Sequence, residues 1–238
     1  MKAQDNSAIW TDERQVADWV ATAGQRELTR SVHRQVMVDL LPFDEGEEFT
    51  FVDLGAGTGA ASRAVLDRFG SSKAVLADFS PQMMAEGDSA LADYQGRFRY
   101  VTMDLEAPGW PDELPSAPDA VISSLCVHHV PDERKRQLFA EICSHLAPGG
   151  WYLNYDPVGA TSPVVADAWQ RVGDRRDPSA PAARANRTPD QMKRWENHIR
   201  YISPLAPQLR WLEEAGFEAV DVYWKDLENA IFGGRRPL

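Results

Sequence analysis

Hydrophobic positions along the chain change period once, near residue 48. Before it they recur every three or four residues: Val16, Trp19, Val20 and Ala23, then Leu28, Val32, Val36, Leu40 and Leu41. That spacing predicts two amphipathic helices, ended by Pro42 and the acidic stretch to Glu48. Beyond it, short apolar runs alternate with helical patterns. The runs predict strands at Phe49–Leu54, Ala74–Ala77, Phe98–Val101, Ala120–Ser123, Trp151–Tyr155, Ala219–Trp224 and Asn229–Phe232. Strands and helices in alternation predict a mostly parallel, doubly wound α/β sheet.

The helices between the strands carry their own punctuation. Val65, Leu66 and Phe69 make an apolar face that stops at Gly70. Ser80-Pro81 reads as an N-cap followed by proline at the first helical position. Leu138, Phe139, Ile142 and Leu146 share one face of a helix that starts at Asp132 and stops before Pro148-Gly149-Gly150. Thr188-Pro189-Asp190-Gln191 has the form of a capping box, and Ser203-Pro204 opens a last helix ending near Gly216. Residues 159–203 interrupt the alternation with largely helical sequence, broken at the Pro/Ala/Arg-rich stretch Pro178–Arg187. Both a lid over a site and a packed helical pair without a functional role fit that insertion. The 238 residues therefore divide, within one domain, into an N-terminal helical cap (1–47), a core (48–158), the insertion (159–203) and a closing helix and hairpin (204–238).

Composition narrows the classes. Hydrophobic residues make up 43% and charged residues 26%, ordinary values for a globular protein. No apolar run reaches the roughly 18 residues of a membrane helix, and no secretory signal is visible. Cys126 and Cys143 lack metal-type spacing and read as buried small residues in a reducing cytoplasm. Net charge is −11, from 25 basic and 36 acidic residues, and a surface of that sign repels nucleic acid. The arginines between Arg171 and Arg187 are the strongest basic cluster, diluted by Asp174 and Asp177.

The stretch TFVDLGAGTGAAS (50–62) carries the chemistry. Gly55, Gly57 and Gly59 follow a strand, where an open α/β sheet binds ligands, and glycine lets the backbone come close to one. The order is G-x-G-x-G rather than the dinucleotide G-x-G-x-x-G, and no lysine-serine ending marks a phosphate loop. Asp53, just before the loop, disfavours a phosphate and suits an ammonium or sulfonium. A cationic or zwitterionic ligand is expected.

With these residues the chain resembles the class I S-adenosylmethionine (SAM)-dependent methyltransferases. VDLGAGTGAAS looks like their first motif, AVLADFSPQMM (74–84) their second-strand segment and FRYVTMDLEAP (98–108) their third. Residues 118–156 resemble the fourth strand, its helix and the fifth strand, and 208–234 the closing helix and antiparallel hairpin. The resemblance implies a Rossmann-like seven-stranded sheet with an antiparallel last strand, and SAM as cofactor, leaving as S-adenosylhomocysteine. It places the methionine end over Asp53, Gly55, Ala56, Gly57 and Gly59. Asp78 is expected to accept the ribose hydroxyls, Phe79 and Met83 to pack on adenine, and Asp104 with Leu105 to meet its amino group. Ser124 and Leu125, ending the fourth strand, complete the expected cofactor site.

Methyl transfer by in-line displacement needs alignment first and a base second. His129 is the candidate catalytic residue, beside His128 in a turn where one imidazole is expected to pack inside. Tyr155 and Asp156 end the fifth strand and could hold an acceptor. His198 in the insertion reads as part of a solvated helix face, with closure over the site as the alternative, and Trp19, Arg26 and Arg30 read as lid residues. An arginine there could grip a carboxylate. By family analogy, the lack of an Asn-Pro-Pro-Tyr sequence or Pro-Cys pair after strand four argues against amino-group and cytosine C5 methylation. No trio of metal-binding acids accompanies strands four and five, so a resident metal is not expected. A small-molecule acceptor, aromatic or acidic in view of Trp169, Trp195, Tyr201 and the arginines, fits O-, N- or C-methylation. Other readings are an enzyme that modifies SAM itself, of the carboxy-SAM synthase type, a non-catalytic SAM-binding protein and an NAD-dependent oxidoreductase. No feature decides the oligomeric state, a homodimer included.

Overall fold

Seven strands form one sheet in the order β3-β2-β1-β4-β5-β7-β6. They are β1 (Thr50–Leu54), β2 (Lys73–Asp78), β3 (Phe98–Thr102), β4 (Ala120–Ser124), β5 (Trp151–Pro157), β6 (Glu218–Asp226) and β7 (Asn229–Arg235). The first five are parallel, and β7 runs antiparallel to both β5 and β6. Every expected strand is present, most of them longer by a residue or more. The computed structural model describes Trp10, residues 12–21 and residues 23–238, and the side chains of 18, 19 and 23–29 lie outside the described residues. The lid roles expected of Trp19 and Arg26, and the apolar position Leu28, fall there.

Helices α1 (Glu13–Ala21) and α2 (Ala23–Asp39) precede the sheet, and α3 (Ala60–Arg68), α4 (Pro81–Ala90) and α5 (Asp132–His145) connect its strands. The sheet is buried on both faces, which is why its parallel strands read as continuous apolar runs. Val52, Leu54, Val75, Ala77 and Val121 pack with Leu138, Phe139 and Ile142 of α5 on one side. Phe51, Ala74, Leu76, Ile122 and Leu153 pack on the other with Met37 and Val38 of α2 and Val65 and Leu66 of α3. Strand order reverses between β1 and β4, so the crevice at their C-terminal ends lies at the topological switch point.

The insertion holds α6 (Pro163–Arg176), α7 (Ala180–Ala185) and α8 (Pro189–Ile199), and α9 (Leu205–Glu214) follows it. The expected break at Pro178–Arg187 is thus partly helical. Pro181 falls in the first turn of α7, where its missing N–H has no helical partner to lose, and alanines fill much of the rest. The capping box of α8 forms as expected: Gln191 N donates to Thr188 Oγ1 at 3.3 Å, and Thr188 N donates back to Gln191 Oε1 at 2.9 Å. Helix α8 packs against the 3₁₀ turn Val127–His129 that follows β4, which brings the insertion to the crevice. Lys135 anchors the insertion's far end. Its buried ammonium donates to Asp132 Oδ1 at 3.2 Å, to Ser203 Oγ at 2.5 Å and to the Tyr201 carbonyl. Among the described residues no helix is long and apolar enough to cross a membrane.

The hairpin closes the sheet through a backbone contact that admits no side chain. A Cβ on Gly233 of β7 would stand 1.9 Å from the Tyr152 carbonyl oxygen of β5. Gly233→Ala is therefore expected to lower stability by about 2 kcal/mol or more, read as a fall in the urea midpoint. An unchanged midpoint would contradict the pairing of these strands.

Candidate active site

The loop after β1 is shaped by two carboxylates at the ends of neighbouring strands. Gly55 and Gly57 take φ values of 67° and 54°, in the left-handed region. Gly55 N and Ala56 N donate to the Ala77 carbonyl at 2.8 and 3.1 Å, which ties the loop to β2. Gly57 is held from both sides: its N–H donates to Asp78 Oδ2 at 2.8 Å, and its carbonyl accepts the Tyr100 hydroxyl at 2.9 Å. The other oxygen of Asp78 accepts Ser80 N at 2.8 Å. A Cβ on Gly55 would stand 1.9 Å from Cys126 Sγ, so the loop can lie against the end of β4 only with glycine there.

Asp53 is 1% exposed at the end of β1. Its Oδ2 accepts the Ser62 hydroxyl at 2.7 Å and the Ser62 N–H at 3.2 Å, from the first turn of α3. Its Oδ1 is buried and has no hydrogen-bond partner. Burial pushes the Asp53 carboxyl up to about 7, against the hydrogen bonds from Ser62 and the nearby charge of Arg34. Burial also raises Asp78, whose backbone N–H partners oppose the shift.

An open cleft lies over this loop. Asp53, Gly55, Ala56, Gly57, Asp78, Phe79, Met83, Ser124, Leu125 and His129 all line it. A neighbouring hollow, sharing Asp78 and Phe79, is lined by Asp104 and Leu105. Of the residues expected around a cofactor, only Gly59 turns away: a Cβ there would meet Leu91 Cδ1 at 2.6 Å and Leu76 Cδ2 at 3.1 Å, so its room serves close packing against the end of α4 and β2. The cleft has further lining that sequence reasoning did not single out for it, namely Trp10, Arg34, Thr58, Ala60, Ala61 and Cys126. Arg30, expected in a lid, lines it too. Arg30 and Arg34 are four residues apart on α2, the spacing that places two side chains on one helix face, and this signal was available in the sequence. Cys126 is only half-buried, against the expectation of a buried thiol, because it forms a wall of the cleft beside Gly55. Cys143 is buried as expected.

Beyond β4 the chain turns sharply. Leu125 adopts φ 58° and donates its N–H to the Tyr155 carbonyl at 2.8 Å, a left-handed conformation rare for a branched residue. The turn that follows presents two imidazoles differently. His128 is 2% exposed, and its Nδ1 is hydrogen-bonded to Asp156 Oδ1 at 2.7 Å. Its Nε2 faces His198 Nδ1 at 3.0 Å. His129 borders the cleft, 3.9 Å from the His128 ring between centroids, and its Nδ1 is buried without a partner. Desolvation lowers the pKa of all three histidines, that of His198 to about 4. His198 thus reaches the buried turn, although its helix face is solvent-exposed as the sequence suggested. Tyr155 and Asp156 do not stand on the rim. Tyr155 is 3% exposed and bonded to His33 Nδ1 at 2.8 Å, and Asp156 is 1% exposed beneath His128.

The buried Asp53 has a consequence for stability. Its pKa of about 7 in the fold lies above the ordinary 3.8, so folding favours the protonated acid. The penalty of burying the charge is complete above about pH 7, shrinks as pH falls through that value, and vanishes below the ordinary carboxylate range. At this group the ligand-free protein gains stability between pH 8 and pH 5. Asp53→Asn is expected to remove that gain and to stabilise the ligand-free protein at pH 8 by up to about 4 kcal/mol. Urea denaturation at the two pH values compares them, and an equal pH slope in both proteins would contradict the burial of an unpaired charge.

Comparison with known proteins bears on this geometry directly. Residues 51–150, which hold the loop, Asp78, Asp104 and the histidine turn, match a family model described as a methyltransferase domain. Trans-aconitate 2-methyltransferase of Variovorax paradoxus is 31% identical over 134 residues, covering 56% of this chain and 48% of that protein. An O-methyltransferase family protein from Burkholderia thailandensis superposes with a TM-score of 0.70 at 18% identity, over 100% of this chain and 64% of that one. Human N-acetylserotonin methyltransferase, solved in complex with SAM, gives 0.65 at 16% identity, over 99% and 59%. The chain spans less than two thirds of each of these proteins. Residues 51–150 thus match a methyltransferase domain, and the sheet that contains them has the fold of the class I methyltransferases.

Proposed function

We propose that the chain binds SAM in this cleft and transfers its methyl group to a nucleophile of a small organic acid. One observation carries the reading: Asp53 Oδ1 is a buried acceptor without a partner, and Asp53 lines a cleft walled by glycine backbone. A buried polar atom is expected to be satisfied, and the ammonium of a methionine moiety supplies both the donor and the opposite charge. Arg34, whose charge acts on Asp53, is suited to the carboxylate of the same moiety. Asp78 retains lone pairs for the ribose hydroxyls beyond its two backbone donors. Phe79 and Met83 offer an aromatic and a thioether surface to adenine, and Asp104 with Leu105 lines the hollow where its amino group would lie.

The acceptor's class follows from the other side of the cleft. Arg30 acts electrostatically on Tyr155, His128 and His198, so a positive charge stands near the histidine turn. An acidic acceptor docked there brings its nucleophile towards His129 and the histidine turn. The name of the Variovorax relative, which specifies trans-aconitate, is in keeping with an organic acid. Two free cysteines accord with a reducing cytoplasm as the setting.

Incubation of the purified chain with SAM and a panel of small hydroxylated and unsaturated acids, followed by mass spectrometry, is expected to give S-adenosylhomocysteine together with an acid 14 mass units heavier, the value of an added CH₂ (~14). Asp78→Ala is expected to weaken SAM binding roughly 10- to 100-fold, the worth of one or two charge-assisted hydrogen bonds. Arg30→Ala is expected to raise the acceptor KM by about tenfold and to leave SAM affinity unchanged. Binding of SAM without turnover of any acceptor would favour a non-catalytic protein, and a mass-shifted SAM would favour cofactor modification. Failure to bind SAM would overturn the proposal.

A further inference from the structure

We infer that His128, His129 and His198 form a binding site for a nitrogen-preferring divalent cation of the zinc type. Each offers one ring nitrogen, and those nitrogens lie within 4.8 Å of one another. One pair, His128 Nε2 and His198 Nδ1, is 3.0 Å apart. Two imidazoles bound to one tetrahedral zinc stand roughly 3.3 Å apart, from metal–nitrogen bonds of about 2.0–2.1 Å. A shift of a few tenths of an ångström brings this pair to that spacing, and the remaining nitrogen pairs lie within 4.8 Å.

Three features single this cluster out from a chance meeting of histidines. First, the Nδ1 of His128 is committed to Asp156 Oδ1 at 2.7 Å, which fixes the ring and directs the Nε2 lone pair at the cluster. A carboxylate behind a ligating histidine is the usual outer support of a zinc site. Second, His129 Nδ1 is buried and has no hydrogen-bond partner, so the fold leaves a nitrogen without an occupant. Third, the ligands come from two separate parts of the chain. His128 and His129 belong to the turn after β4, while His198 lies on α8 of the insertion, 70 residues beyond His128. That separation hides the site from any local motif.

Charges around the cluster are nearly balanced. Arg30 and Lys135 oppose a cation there, Asp156 favours it, and Lys135 is itself paired with Asp132. Three neutral imidazoles with one supporting carboxylate suit zinc better than magnesium or calcium, which take oxygen ligands. A cation held there would tie α8 to the core and, through His129, border the cleft. The cluster would then act on an acceptor through the cation's charge instead of through a free imidazole. Metal binding does not rest on the proposed reaction, since it is measured without SAM or acceptor.

The test is titration of the chelator-stripped full chain with Zn²⁺ by calorimetry and with Co²⁺ by visible absorption. One Zn²⁺ per chain with a dissociation constant of about 1 μM or tighter is expected, together with a Co²⁺ band of tetrahedral type. His198→Ala, on an exposed helix face, is expected to weaken Zn²⁺ at least tenfold while the circular dichroism spectrum and thermal midpoint stay unchanged. His145→Ala, which removes a histidine outside the cluster, is expected to bind as the parent does. Absence of stoichiometric binding at about 100 μM Zn²⁺, or equal affinity in the His198→Ala variant, would overturn the site.

Discussion

Two carboxylates are forced out of water where β1 and β2 end, and the shape of the cleft follows from how each is satisfied. Asp78 takes the N–H of Gly57 on one oxygen and that of Ser80 on the other, so the same side chain fixes the glycine loop and starts α4. Asp53 takes Ser62 at the start of α3 and leaves its second oxygen bare. An unpaired buried charge is among the costlier features a fold can carry. Here it stands at the topological switch point, where ligands of open α/β sheets bind. A ligand bearing an ammonium would repair the defect, so the site is unfavourable for stability and favourable for binding.

The opposite wall depends on a second buried acid. Asp156, at the end of β5, orients His128 and thereby the whole turn after β4. Leu125 enters that turn in a left-handed conformation, held by its hydrogen bond to the Tyr155 carbonyl. The insertion then adds His198 from outside, while Lys135 holds its exit at Ser203. Glycine loop and histidine turn meet at Cys126, whose sulfur occupies the space that any side chain at position 55 would need. The two halves of the cleft are therefore set against each other by contact, not by the sheet alone.

Much of this was legible in the sequence, for identifiable reasons. Parallel strands buried on both faces leave continuous apolar runs, and caps such as Ser80-Pro81 and Thr188 to Gln191 are local signals, so strands and helix starts could be placed within a few residues. Asp53 and the glycines stood out because charge and conformational freedom are written in residue type. What could not be read depends on contacts remote in sequence. Tyr155 looked like a rim residue until His33, 122 residues away, proved to hold its hydroxyl. Gly59 resembled its neighbours in the loop, yet Leu91 rather than the cleft lies beside it. His198 lay on a helix with an exposed face, and only the packing of α8 on the turn brings it to His128. The alanines of α7 made a short helix where the prolines nearby suggested a break.

The proposed binding mode gives the ammonium of SAM to the bare oxygen of Asp53. Its most direct test is calorimetric titration with SAM at about pH 6, below the raised pKa of the carboxyl, in two buffers of different ionisation enthalpy. If the claim holds, binding ionises Asp53 and releases close to one proton, and Asp53→Asn binds more weakly and releases none. Binding of equal strength in both proteins with no proton released in either would contradict it.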